Sequence, residues 1–344
     1  MKPFKLTLKR KLIRLVSATG CCLLAATSYA QLGCGAINTN VPSAGIINGT
    51  FIQEHVPTRR VVPLAPVREA DVAWSKRVWR SIDLRQKLNH PLYYPMDDFS
   101  GSGYWITNAE RHSLWTIFRL SVLCGDLTLF DPENPYALGS FDGDQFKYPV
   151  RPEPGKNYYS DKVYRENALR FFGELTPQAA VCLRTVSDED SSIVLPDGTI
   201  ALVYPPRDTL WYTSKDIVAY RLKEDWFFDK QRSVMDVRIL GISPVVHQKD
   251  KTGQITGTRE LFWLYFPHCR MVLNNFMAFN TQNDAQWMSY DDLFQKRIFA
   301  SIIYKESNVF DRSIESYRSG VDALMESEMI NDEIRNVEHD VWNY

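Results

Sequence analysis

Adjacent pairs of carboxylates are the residues of this sequence with the clearest potential for chemistry. Asp97-Asp98 and Asp291-Asp292 are pairs of the type that glycosidases use, and Asp142-Gly143-Asp144 contains oxygen ligands suited to calcium. Neighbouring acids in a chain point in different directions, however, and Asp291-Asp292 fits the first turn of a helix, where negative charge meets the dipole. Asp142-Gly143-Asp144 lacks the further ligands of an EF-hand loop, which favours a glycine turn. Asp188-Glu189-Asp190 is typical of a solvated loop beside a hairpin.

The histidines form no metal-ligand pattern. They are scattered along the chain, at His55, His90, His112, His247, His268 and His339, and none pairs with another at helical ligand spacing. The motifs HExxH, GxSxG, GxGxxG and the P-loop are absent from the sequence. We therefore predict no catalytic, cofactor-binding or metal-binding residues and a protein that is not an enzyme. An active site assembled from distant residues needs no local motif and remains the alternative.

The first thirty residues have the composition of an export signal. A positively charged stretch is followed by a short apolar one at residues 15–26, and Ser28-Tyr29-Ala30 predicts cleavage before Gln31. The basic residues are Lys2, Lys5, Lys9, Arg10, Lys11 and Arg14. The apolar stretch is shorter than the ~20 residues that span a bilayer, so a cleaved signal is favoured over a retained anchor. We predict a periplasmic protein without a membrane span.

Charge and cysteine usage narrow the class further. Without the six basic residues of the signal, 34 Lys and Arg face 41 Asp and Glu, a net charge of −7 with both signs interspersed. Such a surface does not predict nucleic-acid binding. The four remaining cysteines, Cys34, Cys124, Cys182 and Cys269, are far apart and form no CxxC pattern. An oxidising compartment permits disulfides, but buried free thiols are favoured, because cysteine is among the most buried residue types.

Two regions follow the signal. Residues 31–68 contain Pro42, Pro57, Pro63 and Pro66 without helical periodicity, which predicts a flexible tail. The other interpretation is an arm that lies on a neighbouring subunit, for example as an added strand. Residues 69–344 alternate between helical and strand patterns, and we predict one compact α+β domain of helices and mostly antiparallel hairpins.

Helical patterns occur in the first and last parts of this domain. Apolar residues between 72 and 88 predict a helix ended by Asn89-His90-Pro91, and Thr107-Asn108-Ala109-Glu110 resembles a capping box that opens a second helix, closed by Gly125. Ser160-Asp161 predicts the start of a third, which ends at Gly173. Further helices are predicted after Pro267, from Ser289, and over residues 314–341. The last is more typical of a helix docked on the domain than of a partner-binding zipper.

The middle of the domain is rich in strand patterns. Pro196-Asp197-Gly198 predicts a tight hairpin, and residues 217–228 and 234–246 predict a longer one with its turn near Asp229-Lys230. Shorter strands are predicted at 127–130, 261–266 and 299–304. Aromatic residues cluster close to the turn of the longer hairpin, at Trp226, Phe227 and Phe228, followed by Lys230. Our hypothesis is that these four residues bind a partner protein, and core packing is the alternative for each aromatic.

Several strings in the sequence resemble the GldN/PorN family of the type IX secretion system. They extend in order over residues 70–344 and do not include the proline-containing tail. The strings are RSIDLRQK at 80–87, PLYYP at 91–95, KEDWFFDKQ at 223–231, RILGI at 238–242, ELFWLYF at 260–266, SYDDLF at 289–294 and KESN at 305–308.

This resemblance implies a role as a structural subunit of protein secretion, and in some bacteria of gliding motility. It implies a periplasmic protein that assembles into rings with an outer-membrane lipoprotein of the GldK/PorK type. It also implies contact with the periplasmic domain of a GldM/PorM-type protein. The family offers no catalytic or cofactor residues to transfer. A periplasmic enzyme acting on envelope polymers and a small-ligand binding protein are the rival functions.

Overall fold

The computed structural model of the protein describes residues 61–342 apart from gaps at 101–103, 109–110, 137–140, 176–191, 195–199, 205–208, 250–253, 282 and 284–287. These described residues belong to one unit, Ile47–Tyr344. The predicted export signal and the predicted tail as far as residue 60 lie outside the described residues. So do Cys34, Cys182, the acidic loop at 188–190 and the turn at 196–198.

Helices and antiparallel strands are mixed along the described chain, which confirms the predicted α+β class. The helices are α1 (His90–Tyr93), α2 (Leu114–Cys124), α3 (Lys162–Phe172), α4 (Phe266–Leu273), α5 (Tyr290–Gln295) and α6 (Val321–Trp342). The longer strands are β1 (Val72–Asp83), β10 (Ile217–Asp229), β11 (Val234–Lys249), β12 (Ile255–Glu260) and β16 (Ile302–Glu306). The shorter strands are β2 (Asp98–Phe99), β3 (Trp105–Ile106), β4 (Leu129–Phe130), β5 (Pro149–Val150), β6 (Gly173–Leu175), β7 (Ser192–Val194), β8 (Ile200–Leu202), β9 (Thr209–Trp211), β13 (Trp263–Tyr265), β14 (Met277–Ala278) and β15 (Met288–Ser289).

The central sheet has eight strands in the order β16-β1-β10-β11-β13-β4-β5, with β12 paired to β11. Its pairings are antiparallel. β10 and β11 form the long hairpin that the alternation of apolar and polar residues predicted, with Asp229 opposite Val234 at the turn. The shorter predicted hairpin is also present, as the two-stranded sheet of β7 and β8.

The helix predicted over residues 72–88 is wrong, because residues 72–83 form strand β1. β1 pairs with β10 and, over residues 78–81, with β16. Neighbouring residues of a strand point to opposite faces, and both faces of β1 are covered. Val78 packs into a buried cluster with the C-terminal helix, whereas the indole of Trp79 donates a hydrogen bond to Asp144 on the other side. Apolar side chains on both faces imitate the broad apolar surface of a helix.

The second helix begins later than predicted. Asn108 does accept a hydrogen bond from the backbone N–H of Arg111, at 3.1 Å, but this closes a local turn. Helix α2 starts at Leu114, where the hydroxyl of Ser113 accepts from the N–H of Thr116. It ends as predicted at Gly125, whose φ of 89° is in the left-handed region that favours glycine.

Most other element predictions are confirmed with altered bounds. Asp161 caps α3, which ends at Gly173, and Ser289 forms a capping box with Asp292 at the start of α5. Pro267 lies in the first turn of α4. The three short strands of the prediction are present as β4, β13 and β16, each shorter than or displaced from its predicted range.

Aromatic side chains fill the core between the sheet and helices α2 and α3. Phe262 is fully buried and lies 5.3 Å from Phe172 and 6.1 Å from Trp115 between ring centroids. The indole N–H of Trp115 donates to the carbonyl of Tyr212, so its polar group is satisfied despite burial. This part of the core therefore combines large apolar surfaces with paired polar atoms.

The C-terminal helix α6 packs against the sheet. Ile330 and Ile334 form a buried cluster with Val78, Ile303 and Ile314. This confirms a docked helix. The first part of the predicted helical pattern forms a separate 3-10 turn, Ile314–Ser316, and Gly320, with a φ of 60°, precedes α6.

The cysteine prediction is half correct. Cys269 is a buried free thiol, and burial raises its pKa. Cys124, by contrast, is disulfide-bonded, so the expectation of a free thiol is wrong there. Its helical surroundings of Leu and Val gave no sign of the bond. Among the described residues, no helix is both long enough and apolar enough to cross a membrane.

Candidate interaction surface

The four residues of the partner-binding hypothesis lie at the distal end of the β10–β11 hairpin. Trp226 is half-buried, and Phe227 and Phe228 are buried, so the exposure near a turn on which the hypothesis depended is lacking for both phenylalanines. Lys230 is exposed, and its backbone N–H donates to the carbonyl of Asp71. Lys230 is thus the member of the set that is available for contact without rearrangement.

The turn beside Lys230 is held by Asp229. This carboxylate accepts from the N–H of Gln231 at 2.9 Å and from the Arg232 guanidinium at 2.8 Å. The hydrogen bond from Arg232 and those from the backbone lower the pKa of Asp229. Ser233 completes the turn with a φ of 52°. Hydrogen bonds of Asp229 and of the Lys230 backbone therefore hold the hairpin tip, and the Lys230 side chain is exposed there.

Trp226 belongs to a charged cluster on the face of the sheet that α6 covers. Its indole N–H donates to Glu224, and the guanidinium groups of Arg80 and Arg297 lie 5.7 Å and 5.2 Å from its ring centroid. Glu224 is fully buried and receives two hydrogen bonds from Arg297, at 2.9 Å and 3.1 Å. Arg80 Nε lies 3.2 Å from the same carboxylate. Burial lowers the pKa of Arg80, and the nearby Glu224 opposes this effect.

Polar contacts fasten α6 over this cluster. Arg80 donates to Asn331 at 2.7 Å, and Lys76 pairs with Glu333 of α6 and with Glu306 of β16. Burial acts to lower the pKa of Lys76, but its two glutamate partners outweigh burial and raise it. Because β16 is an edge strand and α6 lies on it, this corner of the sheet is built from two elements near the end of the chain. We call the contact region between α6 and the sheet the C-terminal seam.

The paired carboxylates Asp97 and Asp98 both form contacts within the fold. Asp97 is buried and accepts hydrogen bonds from Ser214 and from Arg119, whose guanidinium stacks 3.4 Å from the ring centroid of Trp105. Burial lowers the pKa of Arg119 to about 10, although Asp97 opposes the shift. Asp98 is exposed and pairs with Lys215. The two acids thus point apart, as the sequence predicted.

The remaining acidic motifs are also engaged. Asp291 forms a buried pair with Arg270, at 2.9 Å and 3.1 Å, while Asp292 caps α5, which confirms their predicted place in a first helical turn. Asp144 lies in a 3-10 turn and pairs with Lys223. Among the residues that the structure describes, no group of three or more His, Cys, Asp or Glu is arranged to hold a metal ion.

Sequence reasoning missed the Arg80–Glu224–Arg297 cluster. Each member lies far from the others in the chain, and only the pairing of β1 with β10 brings Arg80 near Glu224. The available signal was the position of Glu224, where the alternation of Val218, Tyr220 and Leu222 predicts an apolar residue, since a buried charge needs a partner. That signal identifies Glu224 but does not identify which arginines accompany it.

Comparison with known proteins identifies the family. The sequence profile described as "GldN: Gliding motility associated protein GldN" matches residues 67–343. No curated protein matches the chain. The matched region contains the central sheet, the seam and the hairpin, and it begins close to the first described residues. The chain therefore belongs to the GldN family and is a component of the gliding motility and type IX secretion machinery.

Proposed function

We propose that the protein is a non-catalytic structural subunit of the type IX secretion complex. In this proposal a cleaved signal directs it to the periplasm, where it assembles with an outer-membrane lipoprotein of the GldK/PorK type into rings. It also contacts the periplasmic domain of a GldM/PorM-type protein. Its association with the inner face of the outer membrane then depends on these partners.

The family match over residues 67–343 carries the proposal. The state of the buried charges supports it. Asp97, Glu224 and Asp291 each face an arginine, and each pair joins separate segments of the chain. In each pair the carboxylate oxygens accept hydrogen bonds from the arginine, so these contacts hold elements of the fold together.

The decisive experiment is affinity purification of the tagged chain from gently solubilised envelopes, with mass spectrometry and electron microscopy of the eluate. We expect a lipoprotein partner in large annular particles. A mock purification from untagged cells is the control. A lone monomer, obtained again after mild crosslinking, would contradict the assembly role.

The hairpin hypothesis is tested through Lys230. Trp226→Ala is unsuitable, because Trp226 packs beneath α6 and its loss would also loosen the seam. Lys230→Glu changes an exposed side chain, so the fold should be unaffected. If the tip touches a partner, this variant should lower the yield of the complex, whereas Lys162→Glu, an equal charge change on the exposed face of α3, should not. Equal yields for both variants would remove the hairpin from the interface.

A further inference from the structure

Residues 61–68, which we call the strap, precede β1 and contain neither a helix nor a strand. Their sequence is VVPLAPVR. Each of the two prolines fixes its own φ at about −65° and restricts the residue before it to extended backbone. Arg68, at the end of the strap, has φ −85° and ψ 145°, close to the polyproline II values of about −75° and 145°. The strap therefore has the sequence and the local geometry of a polyproline II segment.

Two arginines of the domain hold one side of the strap. Arg270 donates to the carbonyl of Val62 at 2.8 Å, and Arg238 donates to the carbonyl of Ala65 at 3.1 Å. These carbonyls are three residues apart, and a polyproline II helix completes a turn in three residues, so both lie on the same side. Arg270 is itself held by its buried pair with Asp291. The strap is therefore ordered before it meets a partner, which lowers the entropic cost of binding.

The apolar side chains of the strap are exposed. Val62 is 71% exposed and Leu64 is 40% exposed, and Pro63, Ala65 and Pro66 are exposed as well. The two prolines have the PxxP spacing, which places both rings along one edge of the helix. Proteins recognise such an edge with surfaces lined by aromatic side chains. The strap thus presents a ligand that its own chain leaves uncovered, and the partner that fits it is aromatic.

An aromatic cluster joins the β2–β3 hairpin to β9 and to the segment before α3. The rings of Phe99, Trp105 and Trp211 contact one another, with centroids 5.0 Å, 6.1 Å and 6.1 Å apart. Trp211 also lies 6.3 Å from Tyr158, which lies 5.4 Å from Tyr159. The first three rings are half-buried, and Tyr159 is 53% exposed. We call these five residues the aromatic platform, because ring contacts connect them into one cluster that reaches solvent.

The two tryptophans of the platform retain unused donors. Within the described part of the chain, the indole N–H groups of Trp105 and Trp211 donate to no other residue. The indoles of Trp79, Trp115 and Trp263, by contrast, each donate to an acceptor. A polyproline II segment has no internal hydrogen bonds, so its remaining carbonyls are available as acceptors. A docked strap would supply apolar cover for the rings and acceptors for both indoles.

We propose that the strap of one copy of this chain docks on the aromatic platform of a second copy. The chain carries both halves of this mode of recognition, the PxxP ligand and the aromatic surface. The contact is between copies because the strap's own chain holds the carbonyls of Val62 and Ala65 and leaves the proline edge in solvent. Contacts between two different surfaces are heterologous and close into rings when the rotation between copies permits. The inference rests on the proposed ring function and identifies the surfaces through which copies meet.

A labelled peptide of residues 60–70 tests the contact in solution. Its fluorescence anisotropy is measured against the full-length chain carrying Pro63→Ala and Pro66→Ala, so that the strap of the receptor does not compete. We expect saturable binding that is at least tenfold tighter than binding of the same peptide with both substitutions, because alanine lacks the ring and the fixed φ. Equal affinity of the two peptides would contradict the role of the PxxP edge.

Variants of the receptor locate the binding surface. Trp211→Phe keeps a ring and removes the indole donor, and Tyr159→Ala removes an exposed ring of the platform. Each should weaken binding of the peptide at least threefold. Tyr136→Ala, at a position that is 89% exposed and outside the platform, is the matched control and should leave the affinity unchanged. If all three receptors bind equally, the peptide occupies another surface and the inference is wrong.

Photo-crosslinking tests the contact in the assembled machine. p-Benzoylphenylalanine replaces Leu64 in a full-length chain with one tag, which is expressed together with an unsubstituted chain that carries a second tag. After irradiation of envelopes we expect a product with both tags, in which mass spectrometry maps the link to peptides that contain Trp105 or Trp211. The same replacement at Val309, which is 98% exposed, is the control and should give at least tenfold less of this product.

The outcomes separate this inference from the function on which it rests. If rings with the lipoprotein form in normal yield from the chain with Pro63→Ala and Pro66→Ala, copies meet elsewhere and the inference is wrong, while the function stands. A link from position 64 to another protein, or only within one chain, overturns the inference equally. If the peptide binds and the link maps to the platform of the second copy, the contact is assigned. If the unaltered chain gives no rings, the proposed function fails, and the peptide measurement still decides whether two copies bind.

Discussion

The aromatic core and the C-terminal seam are held together by different means. The core around Phe262 and Trp115 buries large rings between the sheet and two helices. The seam has a small aliphatic cluster, centred on Ile330 and Ile334, and relies on charged contacts such as Lys76–Glu333. Ionic screening does not weaken the burial of apolar surface, whereas it weakens charged contacts at a partly exposed seam. The difference implies that α6 separates from the sheet more readily than the aromatic core opens.

The largest effect is expected from the core. Phe262→Ala removes a fully buried ring and leaves a cavity among other aromatics, so we expect a loss of about 3–5 kcal/mol in the free energy of unfolding. Urea denaturation followed by fluorescence would measure it as one cooperative transition. Val309→Ala, at an almost fully exposed position, is the control and should change the free energy by less than about 0.5 kcal/mol. A small effect of Phe262→Ala would mean that the core is not the cooperative unit.

A pair of substitutions compares the buried charges of the two regions. Asp97→Asn leaves Arg119 in the core without its counter-charge and should cost about 3 kcal/mol. Glu224→Gln removes the charged partner of Arg80 and Arg297 at the seam. Because Arg297 is a quarter exposed and α6 can move away, we expect a smaller loss, about 2 kcal/mol in the free energy of unfolding. Chemical denaturation gives both values. Equal losses would show that the seam is as rigid as the core.

Ile330→Ala tests the seam itself. The substitution removes a buried branched side chain at the edge of the fold and should cost about 2 kcal/mol, at the low end for such changes. Hydrogen exchange should show the loss in α6 and β16, while the amides of α2 keep their protection. Leu324→Ala, on the exposed side of α6, is the matched control and should leave exchange unchanged. Uniform loss of protection across the domain would place α6 inside the main cooperative unit.

The same contrast explains which parts of the fold the sequence predicts. Elements with one buried face or a clear cap are recognisable, such as α3 after Asp161 and the hairpin of β10 and β11. β1 is not, because Val78 and Trp79 are buried on opposite faces and the usual alternation disappears. The start of α2 was misplaced for a related reason: Asn108 makes a local turn that has the chemistry of a cap without a helix after it.

The candidate surface was less predictable than the fold. Aromatic residues near a turn, such as Phe227 and Phe228, have the composition of an interface, but exposure depends on the packing of distant elements. The sequence of α6 contains two apolar phases, since Val321 and Leu324 are out of step with Ile330 and Ile334, and the residues of the first phase are exposed. Which phase faces the sheet depends on the position of β1, and the sequence pattern predicts a helix for that segment.

The smallest effect concerns a polar contact of the core. The hydroxyl of Tyr164 donates a hydrogen bond to the carbonyl of Val122 at 2.7 Å. Tyr164→Phe should therefore lower the free energy of unfolding by about 1 kcal/mol at pH 8. Burial raises the pKa of Tyr164 in the folded chain above its ordinary value of 10.0. As pH rises past about 10, tyrosine therefore ionises in the unfolded chain while it stays neutral in the folded one, and stability falls.

At pH 11, ionisation of Tyr164 in the unfolded chain should lower the free energy of unfolding of the unsubstituted protein by about 1.4 kcal/mol. The Tyr164→Phe variant does not undergo this loss. The difference in the free energy of unfolding between the two proteins should accordingly narrow above pH 9.5, vanish at about pH 10.6 and be reversed by about 0.4 kcal/mol at pH 11. Urea denaturation at a series of pH values measures it, with Tyr136→Phe as the control, because Tyr136 is 89% exposed. A difference that stays constant up to pH 11 would mean that Tyr164 ionises as readily in the folded chain, and that water reaches this part of the core.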